Sequence, residues 1–162
     1  MYDNLLANVP TDLWIGVKWR KSSDNSRFDV VDPATEKVLA SVADAEVSDA
    51  IAAVDAAAAA GPAFARTAPR KRAELLRRYF ELLTRDAETF ARLISRENGK
   101  ALGDARGEVA YAAEFFRWFA EEAVRINGDI SVAPNGGNRI VVQYQPIGVS
   151  LPGDLHPLMS AS

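Results

Sequence analysis

From Gly107 to Gly128 the chain reads Gly107-Glu108-Val109-Ala110-Tyr111-Ala112-Ala113-Glu114-Phe115-Phe116-Arg117-Trp118-Phe119-Ala120-Glu121-Glu122-Ala123-Val124-Arg125-Ile126-Asn127-Gly128, and no other stretch constrains the fold as much. Glu114, Arg117, Glu121 and Arg125 recur at helical spacing, so on a helix they form one narrow wet stripe. Val109, Ala112, Ala113, Phe116, Phe119, Ala120 and Ala123 fall opposite, with Phe115 and Trp118 on the flanks. A helix apolar over so much of its circumference needs neighbours on more than one side. Glu121 stands one turn before Arg125, a surface pairing worth about 0.3 kcal/mol. Gly107 costs about 1 kcal/mol relative to Ala in such a helix, and its expected use is to let another backbone come close.

The cover for this helix must come from upstream. Val47, Ile51, Val54 and Ala58 form the stripe of a first helix, with Asp44 as its expected N-cap and Gly61-Pro62 as its expected end. Leu75, Leu76, Tyr79, Leu82 and Leu83 form the stripe of a second, capped by Thr67 and carrying Pro69 in its first turn, where a missing N–H is harmless. Phe90, Leu93 and Ile94 mark a third, stopped by Gly99. Before these helices the chain is β-like. Leu13 to Trp19 reads as one strand, Phe28 to Val31 as another, and Lys37 to Val42 as a third, making a small meander with a turn at Asp32-Pro33-Ala34-Thr35-Glu36. After the helices, Pro134-Asn135-Gly136-Gly137-Asn138 is a turn between two extended pieces, the second running from Arg139 to Gln145. Ile147-Gly148-Val149-Ser150-Leu151 begins a run typical of buried parallel strands, which Pro152-Gly153-Asp154 breaks.

A length of 162 residues points to one domain. Basic and acidic residues number 19 and 22 and are spread along the chain, so neither nucleic acid nor an anionic membrane is an expected partner. Arg70-Lys71-Arg72, with Arg77 and Arg78, reads as the solvated face of the second helix. The start, Met1-Tyr2-Asp3-Asn4, has no secretory pattern, and the alanines from Ala56 to Ala60 are too short a run to span a membrane. A cytoplasmic protein is expected.

Catalytic chemistry is hard to place. With 0 cysteines there is no thiol nucleophile, thiolate metal site or disulfide. His156 is the single histidine and has no neighbouring ligands, so neither a metal site nor a nucleophile–base pair forms around it. Glu121 and Glu122 are adjacent and point about 100° apart on a helix, too divergent to share acid–base work. Gly136-Gly137 is a turn and not a phosphate cradle, and Lys100 reads as a surface lysine. Glu108 has two readings: a group facing a cleft beside the aromatic face, or a first-turn carboxylate favoured by the helix dipole.

Leu13-Trp14-Ile15-Gly16, Asp32-Pro33-Ala34-Thr35, Glu97-Asn98-Gly99-Lys100, the block from Glu108 to Arg125, Gly128 and Gln145-Pro146-Ile147-Gly148-Val149, in that order, resemble the N-terminal part of an aldehyde dehydrogenase. The block with Glu108-Val109-Ala110-Tyr111-Ala112-Ala113-Glu114-Phe115-Phe116 looks most like the succinate-semialdehyde dehydrogenase branch. The resemblance covers roughly residues 8–151 and implies an α/β fold: β-meander, four helices, bridging hairpin and the start of the first Rossmann strand, truncated. It divides the chain into N-terminal strands (1–43), helices of the cofactor domain (44–129), an oligomerisation-type hairpin (130–146) and a truncated strand with a divergent tail (147–162).

Members of that branch oxidise succinate semialdehyde to succinate in 4-aminobutyrate breakdown, with NADP or NAD as acceptor, through thiolate attack, hydride transfer and thioester hydrolysis. By position in the resemblance, Glu108, Tyr111, Ala112 and Phe115 are candidate substrate-channel residues. The pattern departs after Val149. The family's Pro-Trp-Asn-Phe-Pro motif, ribose-binding Lys and Glu, Gly-rich turn, general-base Glu and nucleophilic Cys have no counterpart here. No catalytic residue, cofactor-binding residue, metal ligand or bound cofactor is therefore expected of this chain alone. A frameshift or truncation near Ser150 is the expected origin of the divergence. Two partner readings follow: self-association through apolar faces left uncovered, or pairing with full-length homologues through residues 139–145, whose strand is a template for strand addition. Marginal stability or self-association is expected.

Overall fold

The computed structural model describes residues 5–7 and 9–150, so the expectations for His156 and the tail lie outside the described residues. Its elements run β1 (Leu13–Trp14), β2 (Trp19–Arg20), β3 (Arg27–Val31), β4 (Val38–Ala43), α1 (Val47–Ala65), α2 (Pro69–Arg85), α3 (Ala87–Asn98), α4 (Leu102–Glu122), β5 (Asp129–Val132) and β6 (Arg139–Val142). The mixed α/β reading with four helices and small strands holds.

The meander does not. Leu13 to Trp19 is two arms of a tight hairpin, β1 against β2, with Leu13 opposite Arg20 and Trp14 opposite Trp19. Its loop is Gly16-Val17, both with positive φ (61° and 65°), and the Ile15 and Lys18 N–H groups each donate to the other's carbonyl. That twist suits a two-residue hairpin, but a β-branched residue is a rare occupant of positive φ, so nothing at Val17 marks the turn in advance. β3 and β4 form a separate antiparallel pair with Arg27 opposite Ala43. The turn between them lies where Asp32 was expected to make it: the Asp32 carboxylate accepts from the Ala34 N–H at 2.8 Å, and Glu36 takes a positive φ of 57°.

Among the described residues the core is small and has two parts. Val30 and Val42 of the second hairpin pack on Leu93 of α3. On the other side of α3, Ala91 and Ile94 meet Ala105 and Val109 of α4. Two of the four side chains at this α3–α4 contact are alanines. α2 covers the next face of α4, where Tyr79 stacks on Phe116 at 5.3 Å and the Arg117 guanidinium lies 5.6 Å above the Phe80 ring. Salt bridges brace the same assembly: Glu88 of α3 accepts from Arg92 and from Arg106 of α4, and Arg96 lies 3.4 Å from Asp32. Gly99 ends α3 in the left-handed conformation with φ 74°, as its position suggests, and a Cβ there would stand 2.9 Å from Pro33 Cγ.

α1 departs most from expectation. Its N-cap is Glu46, not Asp44, and it runs through Gly61-Pro62 to Ala65. Pro62 sits in the closing turns, where one lost N–H bond weakens the helix without ending it. At 19 residues, with a mean hydropathy of 1.2 over its most apolar window, α1 has the length and composition to cross a membrane, which the shorter alanine run did not suggest. Its expected stripe is uncovered: Val47 is 75% exposed, Ile51 57% and Val54 43%. α1 is held at its start by Asp49, 1% exposed, which accepts from the Ser23 N–H at 2.9 Å, the Ser23 hydroxyl at 2.6 Å and the Glu46 N–H at 3.1 Å, and pairs with Arg20.

At the other end, β5 and β6 make an antiparallel hairpin across the expected turn, with Ile130 opposite Val141. Every residue of both strands is exposed. Residues 147–150 form no strand, and Ile147 is 93% exposed. A parallel strand needs a paired neighbour to satisfy its backbone, and among the described residues none lies beside it.

Candidate functional site

α4 begins at Leu102, a turn and a half earlier than Gly107, because Ala101 releases the chain from the Gly99 cap directly into helix. This start decides where the candidate residues stand. Glu108 is not in the first turn, so the dipole reading fails. Its carboxylate instead forms an ion pair with Lys100 in the loop before α4, which also makes Lys100 more than a solvated surface lysine. Tyr111 and Phe115, one turn apart, share a face and meet edge-on at 4.9 Å. Phe119, the next residue of that ladder, lies parallel to Phe115 at 6.4 Å. Ala112 is half-buried on a different face.

Tyr111, Glu114, Phe115, Trp118 and Phe119 line a shallow, open groove of about 310 Å³ along α4. Of the four candidate channel residues, Tyr111 and Phe115 are in its lining and Glu108 and Ala112 are not. Glu114 is tied to Arg117 at 2.7 Å. The groove therefore offers ring faces, a phenol and one paired carboxylate. Such a surface holds the apolar part of a small molecule. Its lining has no cation for a substrate carboxylate and no nucleophile for carbonyl attack. It is an open apolar face and not an enclosed pocket.

The aromatic ladder has a further consequence for packing. Phe119 was expected on the covered face yet is 52% exposed, while Tyr79 and Phe116 supply the stacking between α2 and α4. Gly107 does not mark a close approach: a Cβ there would meet nothing within 4 Å. The close approach is at Gly128, where a Cβ would stand 2.3 Å from the Val142 carbonyl oxygen, at the point where the β5–β6 hairpin leaves α4. Arg125 pairs with Glu122 at 2.7 Å rather than with Glu121, because the helix ends at Glu122 and the following turn swings Arg125 away from its expected stripe.

Charge is otherwise arranged for structure. Hydrogen bonds from the Ser23 hydroxyl and N–H, with Arg20 behind them, hold the Asp49 carboxyl well below the usual carboxylate range. Arg106 and then Arg92 lower Glu88 to about 2. Sequence reading missed the Asp49 junction, although Glu46-Val47-Ser48-Asp49 carries an acid where a capping box places one.

Residues 19–151 match the aldehyde dehydrogenase family. The chain belongs to that family. It is 54% identical over 114 residues to the succinate-semialdehyde dehydrogenase of Paenarthrobacter nicotinovorans, an alignment covering 70% of this chain and 25% of the relative. It is 41% identical over 144 residues to succinate-semialdehyde dehydrogenase [NADP(+)] 1 of Schizosaccharomyces pombe, covering 89% of this chain and 29% of that one. Among solved structures, succinate-semialdehyde dehydrogenase from Burkholderia pseudomallei superposes with a TM-score of 0.78 at 36% identity, over 87% of this chain and 29% of that one. The fold is thus that of the N-terminal part of an aldehyde dehydrogenase, and the chain spans between a quarter and a third of the length of these relatives.

Proposed function

We propose that the chain forms the N-terminal helical layer of a succinate-semialdehyde dehydrogenase-like enzyme and does not turn over substrate by itself. The 54% identity to the Paenarthrobacter nicotinovorans enzyme carries the substrate assignment. In this reading residues 44–129 belong to the cofactor domain and residues 130–146 to a bridging hairpin. Tyr111 and Phe115 face the aldehyde entrance, with Glu108 and Ala112 supporting the same helix. NADP or NAD is the acceptor in the complete enzyme, which is cytoplasmic. The inactivity follows from chemistry: oxidation of an aldehyde through a thioester needs a thiolate, and this chain has 0 cysteines.

A second reading is an interaction module that pairs with full-length subunits through residues 139–145, favoured by the exposure of Ile140, Val141 and Tyr144 on and beside β6. One preparation tests both. Incubated with succinate semialdehyde and NADP or NAD, the chain is expected to give no rise in reduced-nicotinamide absorbance, and a measurable rise would overturn the inactivity. Mixed with a full-length succinate-semialdehyde dehydrogenase and weighed by native mass spectrometry, it supports the second reading only if a mixed species appears.

A further inference from the structure

Asn98-Gly99, Asn127-Gly128 and Asn135-Gly136 are the Asn-Gly pairs of the chain, and all three asparagines are exposed. In such a pair the following backbone nitrogen can attack the asparagine Cγ, since glycine has no Cβ to hinder the approach. A new N–Cγ bond closes a five-membered succinimide, the Cγ–NH2 bond breaks and ammonia leaves. Water then opens the ring to aspartate or to isoaspartate, which carries the chain through the side-chain carbon. No oxidant or reductant is needed. The attacking nitrogen must lose its proton, so a hydrogen bond that already holds the N–H opposes the reaction.

The structure separates the three pairs on this point. The Gly99 N–H donates to the Ser95 carbonyl at 3.0 Å as part of the α3 cap. The Gly136 N–H donates to the Ala133 carbonyl at 2.8 Å, and the Asn135 side-chain oxygen is itself held by the Gly137 N–H at 3.0 Å. At Asn127-Gly128, in the irregular joint between α4 and β5, no hydrogen bond reaches the Gly128 N–H or the Asn127 side chain among the described residues. We propose that Asn127 is a site of spontaneous deamidation and isomerisation, and that it reacts ahead of Asn98 and Asn135. The product matters because of its place. Isoaspartate at Asn127 adds a backbone carbon next to Gly128, where even a Cβ would stand 2.3 Å from the Val142 carbonyl oxygen, so conversion is expected to shift the β5–β6 hairpin relative to α4.

The test is incubation of the full chain in mildly alkaline buffer, with residue-resolved fragmentation mass spectrometry over time. Asn127 is expected to convert about fivefold faster than either other asparagine, the factor corresponding to one net backbone hydrogen bond. In denaturant the three rates should converge. The variant Asn127→Gln should lose the fast phase of ammonia release while Asn98 and Asn135 keep their rates. Conversion of Asn135 or Asn98 first, equal rates in the folded chain with its helical circular dichroism intact, or an unchanged fast phase in Asn127→Gln would each overturn the proposal.

Discussion

Helices α3 and α1 each carry aliphatic residues at helical spacing, but only α3 buries them. Ile94 is fully buried between α3 and α4, whereas Ile51 on α1 is 57% exposed. The difference is not in the stripes themselves. α3 is followed by a glycine-capped turn and a helix with Ala105 and Val109 facing it, so its partner is supplied by the next element of the chain. Among the described residues α1 is fastened at its start, through Asp49, and its stripe faces no comparable layer. Hydrophobic periodicity records that a face needs cover. It does not record whether the same segment of chain provides it.

The largest expected effect breaks this pair of helices apart directly. Ile94→Ala leaves a cavity at the α3–α4 contact and should lower unfolding stability by about 2–5 kcal/mol. Ile51→Ala removes an exposed side chain and should change it by less than about 0.5 kcal/mol. Denaturant unfolding at low protein concentration measures both. Comparable losses at the two sites would mean that α1 is covered after all, by a second copy, and a melting temperature that rises with concentration would then identify self-association.

Much of this contrast was legible beforehand, and its limits have physical causes. α2, α3 and the turn at Pro134 to Asn138 follow from periodicity and turn chemistry, and so does the Gly99 cap, but the N-cap of α2 is Ala68 and not the expected Thr67. Local rules failed where a residue behaves against its ordinary preference. Val17 accepts a positive φ in a hairpin loop, and Pro62 is tolerated near a helix end. They also failed where a contact joins distant segments: Asp49 with Ser23, Glu108 with Lys100, and Gly128 with Val142 have no signature in spacing. The candidate groove was half readable for the same reason. Tyr111 and Phe115 fall together because they are one helical turn apart, while the placing of Glu108 depended on where α4 begins.

A smaller effect sharpens the comparison through pH. Glu88 joins α3 to α4 through Arg106 and Arg92, and these partners lower its carboxyl from 4.5 to about 2. A depressed folded value means that the stabilisation is fully present above the unfolded value and is lost as pH falls through the folded one. The melting temperature of the chain should therefore exceed that of Glu88→Gln at neutral pH, with the gap closing between about pH 4.5 and pH 2. α1 has no carboxylate bridging it to α3 or α4 among the salt bridges of the described residues, so hydrogen exchange over α1 beyond its first turns should not follow that titration. An α1 that loosens in step with Glu88 would show that the two regions unfold as one unit.

The smallest effect concerns the two glycines that bound the long helix stretch. Gly128 is required by geometry, since a Cβ would stand 2.3 Å from the Val142 carbonyl oxygen, but Gly107 lies in the interior of α4 with nothing within 4 Å of the same position. Replacing Gly107 with Ala adds helix propensity without a clash and should raise stability by about 1 kcal/mol, read as a higher denaturation midpoint with an unchanged slope. A loss of stability would mean that something approaches α4 at Gly107, and in this fold the candidate is the uncovered layer itself. A gain in the isolated chain, reversed when it is bound to a full-length subunit, would place that layer against the Gly107 face. The glycine would then mark a contact that the chain is shaped for but does not itself complete.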